Sequence, residues 1–285
     1  MDSHSCGERH QVNIAVVTGS RADYGLLEWP LKCLREDPFF DVAEVRLWGN
    51  TAAQALENMT QWLKANDETH CVLLLGDRFE VLSAAFAAHL HRVPIAHIAG
   101  GDVSLGSYDD AMRDCISRLA TIHFVTSFQA QERLRSLGYT HLHLVGNPGV
   151  DYIRHADWKK ERTINEPYVV VAYYPETIDG TVDLPAVYEA IGERKAVWIT
   201  PNPDAGIEQI PAGVSLEHAD FLNLLVHCEE FIGNSSAMFY EAPELGVRCR
   251  LIGKRQQGRV RAWGDGRASE RIRDALKGWH GQAKD

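Results

Sequence analysis

The chain has 285 residues and a formal net charge of −10, with 39 acidic side chains against 29 basic ones. A negative field of this kind repels polyanions, which disfavours nucleic acid and anionic membrane surfaces as partners. No apolar run reaches the length of a membrane span, and residues 1–10 are too polar for a secretory signal peptide. We therefore expect a cytoplasmic enzyme, and the length favours two domains.

The first half of the chain alternates short apolar segments with amphipathic ones. This pattern is typical of a parallel sheet with helices on both faces. The predicted strands are 12–18, 42–48, 72–75, 95–98, 122–125 and 142–145. The predicted helices are 52–65, 79–89, 109–119 and 130–137, preceded by one that the leucines between 26 and 34 indicate.

The second half repeats the alternation after a helix around 152–153 and a charged segment at 157–162, which we interpret as a linker. Its predicted strands are 168–174, 196–200, 231–232 and 248–252, and its predicted helices are 184–191, 219–228, 236–245 and 268–276. We predict an α/β fold of two Rossmann-like, doubly wound domains, 1–155 and 156–285. The last helix is a candidate to pack back on the first domain. Ligands of such folds bind beyond the carboxyl ends of the strands, here in a cleft between the domains.

The cysteines and histidines do not predict a metal or a disulfide framework. Six cysteines are scattered without a C-x-x-C pair, mostly in apolar surroundings, so we expect them to be reduced core residues. Thirteen histidines include two closely spaced pairs, but neither pair has a convincing third ligand nearby. We predict no metal site.

One late stretch, 233–243, combines features of an anion site. A predicted buried strand runs into Gly233-Asn234-Ser235-Ser236, and a predicted helix follows with Glu241 on its second turn. A helix start offers free backbone N–H groups, the serines add donors, and Glu241 can accept from a sugar hydroxyl. An ordinary N-capped helix explains the same residues equally well.

Charged side chains also follow the predicted strands of the first half. Arg21 comes after the first strand, and Asp77 and Arg78 come after the third. Asp102 follows two glycines after the fourth strand, and Asp109 begins the next helix. Carboxylates beside guanidinium groups can transfer protons or bind a diphosphate. Capped helices with surface ion pairs are the alternative interpretation.

Several of these loops together resemble the hydrolysing UDP-N-acetylglucosamine 2-epimerases of sialic-acid and related pathways. The matching motifs cover nearly the whole chain in the same order. They are 17–25 (VTGSRADYG), 76–80 (GDRFE), 100–102 (GGD) with 109–110 (DD), 146–149 (GNPG), 201–206 (PNPDAG), 233–236 (GNSS) and 255–259 (RQQGR).

The resemblance implies a glycosyltransferase-B-like fold and an enzyme that eliminates UDP from UDP-N-acetylglucosamine without a cofactor. Removal of the C2 proton and addition of water then give N-acetylmannosamine, and the family suggests a homodimer. The residues that it implies as ligands of UDP are Arg21, Arg78, Asn202, Ser235, Ser236, Glu241 and Arg255. Tyr174, which can donate a hydrogen bond, is a further candidate for substrate binding. The carboxylates left for proton transfer are Asp77, Asp109 and Asp102.

The chain departs from the family pattern on the catalytic side. Ala99 stands where relatives carry a Glu or His, and Tyr174 stands where they carry a His. The long loop with a histidine after the second strand is absent, since 48–51 leads almost directly into a helix. Two alternatives therefore stay open: a nucleotide-sugar glycosyltransferase or hydrolase of the same fold, and a non-catalytic protein that binds UDP-sugars.

Overall fold

The computed structural model describes residues 11–200 and 207–282. These residues form two parallel β-sheets joined by helical connections. The six-stranded sheet has the order β2-β1-β3-β4-β5-β6, and the four-stranded sheet has the order β10-β9-β7-β8. The alternation of apolar and amphipathic segments therefore predicted the fold class correctly.

The elements have the following bounds. The strands are β1 (Val12–Thr18), β2 (Phe40–Arg46), β3 (Cys71–Leu75), β4 (Ile95–Ile98), β5 (Ile122–Val125), β6 (Leu142–Leu144), β7 (Val169–Ala172), β8 (Ala196–Trp198), β9 (Phe231–Gly233) and β10 (Cys249–Leu251). The helices are α1 (Arg21–Arg35), α2 (Ala52–Ala65), α3 (Phe79–Leu90), α4 (Asp109–Leu119), α5 (Phe128–Ser136), α6 (Pro148–His155), α7 (Leu184–Ile191), α8 (His218–Val226), α9 (Ala237–Tyr240) and α10 (Ala268–Gln282).

Both faces of the first sheet are buried. Val16 and Leu73 belong to the apolar core on one face, whereas Ala15 and Leu74 belong to the core on the other. Successive side chains of a strand point to opposite faces, so a strand covered on both sides must be apolar throughout. This is why the sequence shows continuous apolar runs here.

The last helix packs against the first sheet, although it follows the second along the chain. Ile272 and Leu276 of α10 are buried in the core that contains β1 and α1. Both carboxylate oxygens of Asp151 in α6 accept backbone N–H groups from the start of α10, from Ala268 at 3.0 Å and Ser269 at 2.6 Å. This cap fixes where α10 begins. The domain boundary at residue 155 stays a prediction.

One predicted helix is wrong. The helix expected at 236–245 is only the four-residue α9, and Glu241 lies at its C-terminal cap rather than on a second turn. Pro243 explains the early end, because proline lacks an N–H and disfavours a helical backbone at the residue before it. A helix this short has a small dipole, so the helix-end component of the predicted anion site is weak.

Several findings concern only the part of the chain that the structure describes. In it, no helix is long and apolar enough to cross a membrane, and no three metal-ligating side chains cluster. Its five cysteines carry free thiols, and two of them, Cys115 and Cys249, are exposed rather than in the core. Cys6 and the predicted ligand Asn202 lie outside the described residues.

Candidate functional site

The two sheets share one cavity of about 410 Å³, which we call the cleft. Gly76, Ala99 and Thr126 follow strands of the first sheet, and Ala172 and Asn234 lie at strand ends of the second. Parallel strands end at one edge of their sheet, so the loops that follow them meet there. The cleft therefore lies where the alternating pattern predicts a ligand site.

Most of the predicted site residues line this cleft. They are Arg21, Asp77, Arg78, Asp109, Tyr174, Ser235, Ser236, Glu241 and Arg255.

Arg21 connects the two sides of the cleft. It begins α1, and its Nη1 donates to Ser215 Oγ in the second half of the chain at 2.7 Å. Its Nε lies 3.7 Å from a carboxylate oxygen of Glu217, in a pair exposed to solvent. Because this pair is exposed, an incoming anion can compete for the guanidinium group at little cost.

Arg78 is held by its own helix. Its Nε and Nη2 donate to the two carboxylate oxygens of Glu80, at 3.1 and 3.0 Å. Such bidentate pairing fixes the plane of the guanidinium group and neutralises much of its charge. The orientation of the Arg78 guanidinium group at the cleft is therefore fixed, and the Glu80 carboxylate offsets part of its charge.

The loop after β9 is fixed against the loop after β7. Asn234 Oδ1 accepts the backbone N–H of Tyr174 and its Nδ2 donates to the Tyr174 carbonyl oxygen, both at 2.8 Å. Gly233 has a φ of +135°, and a Cβ there would lie 2.0 Å from the Ala172 carbonyl oxygen. Only glycine allows this approach, which places Ser235 at the cleft.

Glu241 faces a histidine that belongs to none of the predicted motifs. His218, the first residue of α8, lies with Nε2 3.6 Å from Glu241 Oε1. Its ring stacks obliquely on Tyr152 at 4.7 Å, and neither ring nitrogen has a hydrogen-bond partner. Two buried polar atoms without partners next to a carboxylate indicate space for a polar ligand group.

Arg255 brings three parts of the chain together. Its Nη1 donates to the Pro175 carbonyl oxygen at 2.9 Å, and its guanidinium group lies 5.3 Å from the centre of the Tyr174 ring. Its Nη2 lies 3.5 Å from Asp109 Oδ2, which also accepts from the Ser107 hydroxyl at 2.6 Å. Asp109 is thus oriented from both sides of the cleft.

Asp77 is paired with two arginines. It accepts a hydrogen bond from Arg113, and Arg259 Nη2 lies 3.8 Å from the same oxygen. Burial alone would raise the pKa of Asp77, but the charges of Arg113 and Arg259 outweigh it and hold that pKa below its ordinary value. Asp77 is therefore ionised at neutral pH.

Asp102 is buried and is not one of the residues that line the cleft. Its Oδ1 accepts from the Thr126 hydroxyl at 2.8 Å, and its Oδ2 accepts from the Tyr240 hydroxyl. Arg113 and Arg133 each donate to its backbone carbonyl oxygen at 2.9 Å. Both carboxylate oxygens are thus occupied, unlike those of a carboxylate that faces a substrate.

Three side chains of this network were not predicted: Arg113, Arg259 and Tyr240. Arg113 is 1% exposed and also donates to Asp110 at 2.7 Å. Their positions in the sequence carry only weak signals, since Arg113 follows Asp110 with the spacing of an ordinary surface ion pair on a helix. Arg259 is the last residue of the predicted motif at 255–259, and this position is the signal in the sequence that it lies near the site.

The two sheets and the cleft that they share match a known type of α/β fold. Two parallel α/β sheets whose strand ends face a common cleft form the glycosyltransferase-B-like fold. A UDP-bound glycosyltransferase of Siraitia grosvenorii shares this fold, with a TM-score of 0.52, 12% identity, and coverage of 96% of this chain and 92% of its own. Ligands of such folds occupy the cleft between the sheets.

Within this class the chain belongs to the UDP-N-acetylglucosamine 2-epimerase family, whose sequence profile matches residues 13–277. It is 27% identical to the polysialic acid biosynthesis protein P7 of Escherichia coli, over 87% of this chain and 80% of that one. It is also 27% identical to a UDP-N-acetylglucosamine 2-epimerase of Neisseria meningitidis, over 86% and 81%. The structure of S. aureus MnaA with UDP has a TM-score of 0.78 and 16% identity, and covers 95% of this chain and 97% of its own.

Proposed function

We propose that this chain is a hydrolysing epimerase that converts UDP-N-acetylglucosamine to UDP and N-acetylmannosamine. The observation that carries the proposal is the composition of the cleft. One cavity of about 410 Å³ holds arginines and serines fit for a diphosphate together with the two carboxylates Asp77 and Asp109. The proposed reaction needs both sets of residues in one cavity, because the nucleotide must be bound while a proton is removed from the attached sugar.

The proposed nucleotide side comprises Arg21, Ser235, Ser236, Glu241 and Arg255. Arginine and hydroxyl donors suit the diphosphate oxygens, and the Glu241 carboxylate suits the ribose hydroxyls. Arg21 and Arg255 both contact the opposite half of the chain, by way of Ser215 and Asp109. A diphosphate bound by both would therefore also hold the cleft closed.

The proposed reaction begins when a carboxylate takes the C2 proton of the sugar. The electrons of that C–H bond form a C1–C2 double bond, and the C1–O bond to UDP breaks with its electron pair going to the departing phosphate oxygen. Water then adds its hydroxyl to C1, and a proton returns to C2. In our proposal Asp77 and Asp109 exchange these protons, and Asp77 is ionised and able to accept one.

A non-epimerising function is the second candidate, and Ala99 favours it. Its methyl group lines the cleft directly after β4, at a position where no proton can be exchanged. The connection between β2 and α2 is also short, from residue 47 to 51. Fewer groups for proton transfer and less covering structure would suit a hydrolase, a transferase with a second substrate, or a protein that only binds UDP-sugars.

The predicted homodimer and cytoplasmic location remain parts of the proposal. Phe86 and Leu90 lie four residues apart on α3 and are 45% and 61% exposed. Large apolar side chains on one helix face are a common feature of subunit interfaces. Sedimentation equilibrium measures the dimer directly, and a monomer at micromolar concentration would contradict it.

Product analysis tests the function. The purified protein is incubated with UDP-N-acetylglucosamine, UDP is quantified by anion-exchange chromatography, and the sugar is identified against both epimers. The proposal expects equal amounts of UDP and N-acetylmannosamine. Free N-acetylglucosamine would indicate a hydrolase, release of UDP only with an added acceptor would indicate a transferase, and bound UDP without turnover would indicate a binding protein.

A further inference from the structure

Asp23 is a buried carboxyl group in the cleft to which the proposed mechanism assigns no role. It lies in the first turn of α1, where its backbone N–H donates to the N-cap Ser20 at 3.2 Å. The residue is 9% exposed and lines the cleft, and its Oδ2 has no hydrogen-bond partner. A buried carboxylate oxygen without a donor is costly, so its environment needs an explanation.

The neighbouring charges do not compensate Asp23. The cation whose charge acts on Asp23 is Arg78, which is paired with both oxygens of Glu80. Among the described residues, Asp77 and Glu80 also act on Asp23, and both are negative. Asp77 in turn is paired with Arg113. Asp23 is thus the one of these three carboxyl groups without a cation of its own.

The result is a carboxyl group that keeps its proton near neutral pH. Burial raises the pKa of Asp23 to about 7, and the partial attraction of Arg78 and the hydrogen bond with Ser20 only reduce this effect. In its neutral form the group has one O–H donor, and in its ionised form it only accepts. The two forms therefore present opposite chemistry to an anion.

We propose that Asp23 binds the diphosphate of the nucleotide as a neutral acid, donating its O–H to a phosphate oxygen beside Arg78. This inference rests on the proposed UDP site. An ionised Asp23 would repel the phosphate, so binding requires the protonated form and takes up one proton from solvent when Asp23 is ionised beforehand. Arg78 orients the bound phosphate, and the protonation of Asp23 makes binding depend on pH.

Linkage between the proton and the ligand gives the sign and size of the effect. At pH values well below 7 Asp23 is already protonated and contributes no pH dependence. Above about pH 7 each further pH unit weakens binding by up to about tenfold, because a larger fraction of the free protein must first be protonated. UDP itself adds little above pH 7, since the second pKa of phosphate monoesters is near ~6.

Calorimetric titration with UDP tests the inference on the native protein, Asp23→Asn and His218→Asn at pH 7 and pH 8.5. Asparagine keeps an N–H donor but cannot ionise, so it resembles the protonated form of Asp23. We expect the native affinity to fall on the order of tenfold between the two pH values. Asp23→Asn should bind equally at both and more tightly than the native protein at pH 8.5.

His218→Asn is the matched control, because His218 is a described titratable residue of the cleft whose buried ring nitrogens, like Asp23 Oδ2, have no hydrogen-bond partner. This variant should keep the native pH dependence. Native affinity that is equal at both pH values, or a fall that persists in Asp23→Asn, would overturn this inference alone. Native protein that does not bind UDP at either pH would overturn the proposed function as well.

Discussion

The Tyr240 hydroxyl donates to the Asp102 carboxylate and thereby connects the second sheet to the first. Arg259 Nη1 donates in turn to the Tyr240 oxygen at 2.6 Å and lies close to Asp77. Burial raises the pKa of Tyr240, and the negative charge of Asp102 adds to the effect, so the phenol stays a neutral donor. We propose that Asp102 positions the cleft through this chain of contacts rather than exchanging a proton with the sugar.

Tyr240→Phe should destabilise the protein and lower turnover. The substitution leaves the buried Asp102 Oδ2 without its donor, which costs roughly 1–3 kcal/mol. Urea denaturation measures the loss, and the rate of UDP release measures the effect on the cleft. Tyr188→Phe, at a 53% exposed tyrosine of α7, is the control and should change neither. Native stability and turnover in Tyr240→Phe would show that the contact is dispensable.

Asp77→Asn should reduce turnover far more than nucleotide affinity. The substitution removes the ionised group that we propose as a base, a loss that typically costs about 10² to 10⁴ in rate. Arg113 keeps its hydrogen bonds to Asp110 and Ser104, at 2.7 and 2.9 Å, which should preserve the local structure. Steady-state kinetics and UDP titration separate the two effects. An equal loss in both would mean that Asp77 serves binding instead.

Glu241→Gln should weaken UDP binding through the ribose. Hydrogen bonds to charged groups contribute about 1.5–3 kcal/mol, which corresponds to roughly 10- to 100-fold in affinity. The native protein should bind 2′,3′-dideoxy-UDP more weakly than UDP, whereas the variant should scarcely distinguish them. Glu244→Gln, which alters a carboxylate paired with Arg154, is the control. If Glu241→Gln still discriminates between the two ligands as the native protein does, Glu241 does not contact the ribose.

Asp23→Asn should stabilise the ligand-free protein at alkaline pH. The pKa of Asp23 is raised from 3.8 to about 7, so its contribution to stability is fully present below pH 4 and is lost as pH rises to 7. At 1.36 kcal/mol per pKa unit, the loss is roughly 4 kcal/mol. Thermal melts of both proteins between pH 4 and 8.5 give the difference directly. A difference that does not change with pH would show that Asp23 ionises normally.

The sequence predicted the bounds of helices and strands well where the residues of the element itself carry the signal. Helix 109–119 and strand 95–98 have the predicted bounds, because their apolar spacing and turn residues are sufficient signals. The helix predicted at 236–245 is too long, because the apolar spacing of these residues indicates a longer helix than Pro243 allows.

The contacts that organise the cleft could not be predicted in the same way. Tyr240 and Asp102 are 138 residues apart, and only the packing of the two sheets brings them together. Asp23 was part of a recognised motif, but its lack of a cation depends on Arg78 being paired with Glu80. Burial and pairing belong to the folded state, so a motif can predict that a residue lies in the site without predicting its charge.

A proton NMR time course with UDP-N-acetylglucosamine in deuterated water shows whether the protein removes the C2 proton of the sugar. Abstraction of the C2 proton and its return from solvent place deuterium at C2 of the released sugar. We predict N-acetylmannosamine with deuterium at C2, formed together with UDP and abolished in Asp77→Asn. Free N-acetylglucosamine that retains its C2 proton would rule out the proposed epimerisation, because UDP would then leave by hydrolysis at C1 alone.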